Sequence, residues 1–203
     1  FHALNRLDAF RRSLGSSSLL ERRQIGLWLR GRDWLVVPDL GRWIAQLADA
    51  GVTSLIVEAG SPPRETVQSG SMGVYFQTSK VPVVEDLFRV IVPAAHAKGM
   101  AVLASLNLHE PGWMTVNPEW GIVMANRTDQ VFQRVGHVDV LHPGYQRFVG
   151  EVAQDLLRTD IDGLVVEARR ATGFAEEWSP TSRRMFEGLF GPSFDSQGQV
   201  VAP

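Results

Sequence analysis

Four short apolar runs recur along this chain, at residues 25–30, 53–60, 100–108 and 161–167. Stretches of helical period or long polar loops fill the intervals, and each run ends in polar residues. A chain that alternates strand-like and helix-like segments in this way builds a parallel sheet with helical crossovers. The spacing predicts an α/β fold, a (β/α) TIM-type barrel of which about the first four β/α units are present. A complete barrel takes about eight units in roughly 250 residues, and this chain has 203. Four parallel strands alone leave two unpaired edges, which invite association: either further strand-helix units follow, or another copy closes the sheet, or the fold is an open α/β sheet.

The intervals carry their own punctuation. Pro38 and Asp39 open a helix with Leu40, Trp43, Ile44, Leu47 and Ala48 on one face, and Gly51 stops it. The run Thr53-Ser54-Leu55-Ile56-Val57-Glu58 is apolar at both alternating sets of positions, as in a parallel strand covered on both faces. A long Gly/Ser/Pro-containing loop over 60–82 precedes a helix over about 84–98, stopped by Gly99 and interrupted by Pro93. A second long loop spans about 109–141. Phe148, Val149, Val152, Leu156 and Leu157 then mark a helix, and a last one runs from about 179 to 190, with Ser179 as N-cap and Pro180 at its first position. Residues 1–23 read as a separate linker helix from an upstream domain, cut off by Gly15-Ser16-Ser17-Ser18, and residues 24–203 as the incomplete barrel.

Composition removes several functions. The formal net charge of −2 gives no ground for a nucleic-acid partner. There is no cysteine, hence no disulfide and no thiolate metal site. His137 and His142 lack any metal-ligand spacing of the HExxH kind, and no dinucleotide or phosphate-binding glycine pattern is present. Neither a metal nor a cofactor is expected.

In parallel barrels, chemistry gathers at the C-terminal ends of the strands. Here those ends bear Arg30, Glu58, Asn107 with His109, and Glu167 with Arg169. Two carboxylates on one rim suit glycoside hydrolysis. One protonates the leaving oxygen, and the other acts as base or nucleophile. Glu167 and Glu58 are therefore the candidate catalytic pair. Asn107, His109, Arg30 and Arg169 are candidate sugar ligands, and the flat rings of Trp113 and Tyr75 are candidates for stacking on a pyranose. Each has a structural alternative: an ion pair for the charged groups, a loop cap for Asn107, loop packing for the aromatics.

Three segments resemble a known family. Tyr75-Phe76-Gln77-Thr78-Ser79-Lys80-Val81-Pro82 with Asp86-Leu87-Phe88 is one. His96-Ala97-Lys98-Gly99-Met100-Ala101-Val102 is the second. Leu141-His142-Pro143 followed, after a helix, by Ile161-Asp162-Gly163-Leu164 is the third. Together they resemble the C-terminal glycoside-hydrolase-like barrel domain of PgaB-type proteins, which process poly-β-1,6-N-acetylglucosamine, and related glycosidase-like barrels. The resemblance implies a barrel that cleaves or binds a hexosamine-containing exopolysaccharide. It also implies a periplasmic or outer-membrane-associated setting beside a polysaccharide deacetylase domain or an export component.

The chain departs from that family where the chemistry sits. The family carries a pair of aspartates after the fourth strand, and an ungapped alignment puts Glu167-Ala168-Arg169 there. The acidic loop after the second strand is replaced by Gly60-Ser61-Pro62-Pro63-Arg64-Glu65. A site for a cationic, partly deacetylated sugar should be electronegative, whereas Arg30, Arg64, Arg169 and Arg170 crowd this rim. Three readings follow: a hydrolase of a bacterial exopolysaccharide, a non-catalytic carbohydrate-binding barrel, or an interaction domain.

Overall fold

A computed structural model of the chain describes residues 24–61, 72–125, 132–167 and 179–190. The expected linker helix at 1–23, and Arg64, Arg169 and Arg170, lie outside the described residues. Four strands, β1 (Gly26–Leu29), β2 (Ser54–Glu58), β5 (Ala101–Asn107) and β8 (Gly163–Glu167), form one parallel sheet in the order β1-β2-β5-β8. These are the four runs that the sequence marks, in chain order, as in the opening arc of a barrel. Among the described residues the sheet does not close on itself.

The crossovers are built by local signals. Helix α2 (Leu40–Asp49) is capped by Asp39, whose Oδ1 accepts the Arg42 N–H at 2.9 Å. It ends at Gly51 with φ +91°. Gly51 N–H donates to the Ala48 carbonyl and Val52 N–H to the Leu47 carbonyl, the bonding of a Schellman stop. Helix α3 (Phe88–His96) ends identically: Gly99 has φ +69°, and Met100 N–H donates to the Ala95 carbonyl. After α4 (Pro143–Leu157) the positive φ, 62°, falls on Asp160, a short polar residue that tolerates the left-handed region. Helix α5 covers Pro180–Phe190.

Four details differ from the sequence reading. Helix α3 starts at Phe88, later than expected, because residues 82–84 are held as extended chain: Val74 N–H donates to the Pro82 carbonyl and Val84 N–H to the Val74 carbonyl. A one-turn helix α1 (Gly31–Trp34) follows β1 directly. The first long loop contains a short antiparallel pair, β3 (Gly60–Ser61) with β4 (Gly73–Val74). The second contains two 3₁₀ turns, Pro111–Thr115 and Pro118–Trp120, and an antiparallel ribbon of β6 (Gly121–Ala125) and β7 (Phe132–Val138).

The core lies on one side of the parallel sheet. Leu55, Val57, Val102, Ala104 and Leu106 are buried in one cluster with Ile44 and Leu47 of α2, Ile91, Val92 and Ala95 of α3, and Val152 and Leu156 of α4. Successive side chains of a strand point to opposite faces, so Trp28, Ile56, Leu103 and Val165 belong to the other face. That face is the concave side of a barrel arc, and Trp28 on it is 49% exposed. The expectation that β2 is covered on both faces is thereby corrected: among the described residues, helices cover one.

Candidate functional site

Register brings the strand-end residues together. Glu58 pairs with Ser105, and Asn107 with Glu167. Paired residues of a parallel ladder share a face, so Glu58, Ser105, Asn107 and Glu167 all project to the open face at its C-terminal rim. With strands about 4.8 Å apart and about 3.3 Å per residue, the Glu58 and Glu167 Cα atoms stand about 12 Å apart. Ser105, on the strand between them, bonds one of the two, while Glu58 turns its Oε2 to the Gly31 N–H on the β1 side. Ser105 Oγ donates a hydrogen bond to Glu167 Oε1, and Ser105 is completely buried.

The surroundings of Glu58 favour its acid form. Burial pushes its pKa up from the ordinary carboxylate range, and the Glu167 charge adds to the rise. Opposing this, Gly31 N–H donates to Glu58 Oε2 at 3.0 Å, and Arg30 and Arg32 contribute positive charge. The net direction is upward. Glu167, in turn, takes a hydroxyl donor from Ser105. Two carboxylates in one site with different surroundings are what acid–base division of labour requires.

The remaining candidates divide. Arg30 is exposed at the end of β1, where its charge acts on Glu58. Asn107 is committed to a turn, the structural alternative open to it: its Oδ1 accepts the His109 N–H at 3.0 Å and its Nδ2 donates to Glu110 Oε2 at 3.5 Å. His109 is half-buried in that turn. Arg169 lies outside the described residues.

The two stacking candidates are corrected by the structure. Trp113 is fully buried. Its Nε1 donates to the Asn107 carbonyl at 2.9 Å, and its ring meets Phe148 edge-on at 5.7 Å. Tyr75 is 3% exposed, with its hydroxyl 2.7 Å from Ser61 Oγ and its ring packed against Gly31. Neither has a free face for a pyranose. Both instead hold the site in place: Trp113 anchors the loop after β5, and Tyr75 backs the turn that gives Glu58 its N–H donor.

Ser105 and Arg32 were not singled out by sequence. Ser105 had a readable signal, a small hydroxyl in an apolar strand two residues before Asn107, and thus on the face of Glu58 and Glu167. Arg32 had none. It is half-buried near Glu58, and its Nε has no hydrogen-bond partner among the described residues.

No family model matches the chain, and no curated protein matches it. Solved structures do. The PgaB (BpsB) glycoside hydrolase domain of Bordetella bronchiseptica superposes with a TM-score of 0.61 at 23% identity, covering 82% of this chain and 50% of that one. The α-L-fucosidase isoenzyme 2 of Paenibacillus thiaminolyticus gives 0.56 at 19% identity, covering 82% and 26%. A GH20 exo-β-N-acetylglucosaminidase of Vibrio harveyi gives 0.55 at 12%, covering 82% and 30%. This chain therefore spans half or less of each of these neighbours. At such identities the likeness shows the fold: the chain has the architecture of a partial glycoside-hydrolase-like barrel.

Proposed function

We propose that this chain is a glycoside hydrolase domain that cleaves a hexosamine-containing bacterial exopolysaccharide, similar to poly-N-acetylglucosamine. One observation carries the reading: Glu58 and Glu167 project from one sheet face at the C-terminal rim, on strands either side of Ser105, which bonds Glu167. Glu58, whose pKa is raised by burial, is the general acid that protonates the glycosidic oxygen. Glu167 is the base or nucleophile, its carboxylate oriented by Ser105. Arg30 and His109 contact the sugar at the edge of the site. The resemblance to PgaB-type domains supports the substrate class, and the solved PgaB neighbour supports the glycosidase-like fold. The resemblance in sequence also implies a periplasmic or outer-membrane setting beside a deacetylase domain or export component.

The test is release of reducing ends from partly deacetylated poly-N-acetylglucosamine. Glu167→Gln should lower that rate by about 10²–10⁴-fold, and unchanged cleavage removes Glu167 from the mechanism. A second reading, a non-catalytic carbohydrate-binding barrel, is favoured by Glu167-Ala168-Arg169 standing where the resembled family has its aspartate pair. Glycan binding without any new reducing ends decides for it.

A further inference from the structure

Two arginines flank the candidate acid, and neither has a counterion among the described residues. Leu29 pairs with Val57, and Arg30 continues β1 by one extended residue, with φ −70° and ψ 144°. Its place is therefore beside Glu58 on the same sheet face, with the two Cα atoms about 4.8 Å apart. The Glu58 carboxylate nonetheless turns to the Gly31 N–H, and Arg30 stays exposed and unpaired. Arg32, the second residue of α1, is half-buried, and among the described residues it too has no ion pair or hydrogen bond. Asp33 of the same turn is exposed and does not pair with it. Of the three Arg32 nitrogens only Nε is both enclosed and unbonded, so Nη1 and Nη2 are the ones open to a ligand. Both positive charges act on Glu58. Taking a guanidinium partly out of water without a counterion is costly, which makes an anionic ligand favourable at this place.

We propose that Arg30 and Arg32 form an anion subsite on the β1 side of the rim, which takes the carboxylate of an acidic sugar residue, such as a hexuronate, in the glycan held at Glu58 and Glu167. The inference rests on the reading of this rim as a sugar site and adds to it the chemical class of one sugar. A guanidinium presents its N–H donors in a planar fork that matches the two oxygens of a carboxylate. The described rim is polarised accordingly, cationic at Arg30 and Arg32 and acidic at Glu58 and Glu167. A neutral or cationic hexosamine chain leaves both arginines without a counterion. The arrangement also suits the acid role of Glu58. In the empty site both arginines oppose its protonation, and a carboxylate seated on them cancels that opposition. The substrate thereby supports the proton that Glu58 has to deliver.

Binding of oligosaccharides to the intact protein, measured by isothermal titration calorimetry, tests the subsite. The probes are a tetrasaccharide alternating N-acetylglucosamine with glucuronate, the same compound as its methyl ester, and β-1,6-linked tetra-N-acetylglucosamine. The acid should bind roughly tenfold or more tighter than its ester, which keeps the sugar rings and loses the charge. The difference should shrink as salt is raised. Arg30→Gln and Arg32→Gln should each lower the ratio of the two affinities. Equal binding of acid and ester by the parent protein, or binding of the neutral tetramer alone, overturns the anion subsite while the sugar site stands. Binding of none of the three removes the sugar site and the subsite with it. A preference for the acid that survives in both variants seats the carboxylate elsewhere and also refutes the assignment. Arg30 is exposed, so its substitution reads the subsite even if Arg32→Gln fails to fold.

Discussion

Replacing Gly31 by alanine tests the link between fold and site most directly. A Cβ at residue 31 would stand 2.0 Å from Tyr75 Cε2 and 2.4 Å from Cδ2, a full overlap of carbon atoms. The ring cannot swing away freely. Its hydroxyl is bonded to Ser61 Oγ at 2.7 Å, its backbone N–H donates to the Ala59 carbonyl at 2.9 Å, and it is buried. Overpacking of this kind costs about 1–3 kcal/mol. Should α1 retreat instead, Gly31 N–H leaves Glu58 Oε2, and a hydrogen bond to a charged group is worth about 1.5–3 kcal/mol. Only one of the two losses is incurred, and alanine recovers up to about 1 kcal/mol of helix propensity. The net destabilisation is about 1–2 kcal/mol, a fall in Tm of about 2–8 °C for a chain of this size. Thermal unfolding followed by far-UV circular dichroism reads it. Gly150→Ala in α4 is the matched control, since a Cβ there meets nothing within 4 Å, and it should stabilise by about 0.5–1 kcal/mol. A Gly31→Ala protein that melts at or above the parent temperature refutes the packing argument.

Two further outcomes follow from the same contacts. Glu58 has a folded-state pKa above its unfolded value of 4.5, so between those two values the folded protein binds more protons than the unfolded chain. This group's contribution therefore falls as pH rises through that window; urea unfolding at a series of pH values should show the decline, and Glu58→Gln should remove it. Tyr145 is buried with its hydroxyl donating to the Leu108 carbonyl at 2.6 Å. Tyr145→Phe leaves that carbonyl without this donor, at a cost of about 1–3 kcal/mol, and a Tm lowered by less than a degree would contradict the role given to this bond.

The parallel sheet was legible because its signals are local. Apolar runs mark strands, Asp39 caps the next helix through its own side chain, and Gly51 and Gly99 stop helices because only their backbone φ matters there. For the same reason the strand-end positions of Glu58 and Glu167 could be read directly: a residue's place in a strand fixes which end and which face it occupies. The ribbon of β6 and β7 is also local, but its apolar run, Gly121-Ile122-Val123-Met124-Ala125, sits inside a long segment and reads as loop when taken alone.

What escaped the sequence depends on partners far along the chain. Trp113 and Tyr75 look like exposed rings because they sit in strand-end loops. Trp113 is buried by Phe148 of α4, 35 residues on, and Tyr75 by the missing side chain of Gly31. Ser105 acquires a role only when Glu167 of β8 folds beside it, 62 residues away. By itself, then, the sequence determined the strands, their helical crossovers and the carboxylates at the rim, through periodicity and backbone conformation. The tertiary structure alone decided which rings are core, which hydroxyl orients the carboxylate, and which face of the sheet the described helices cover, because burial and cross-strand contact are properties of pairs that no single segment contains.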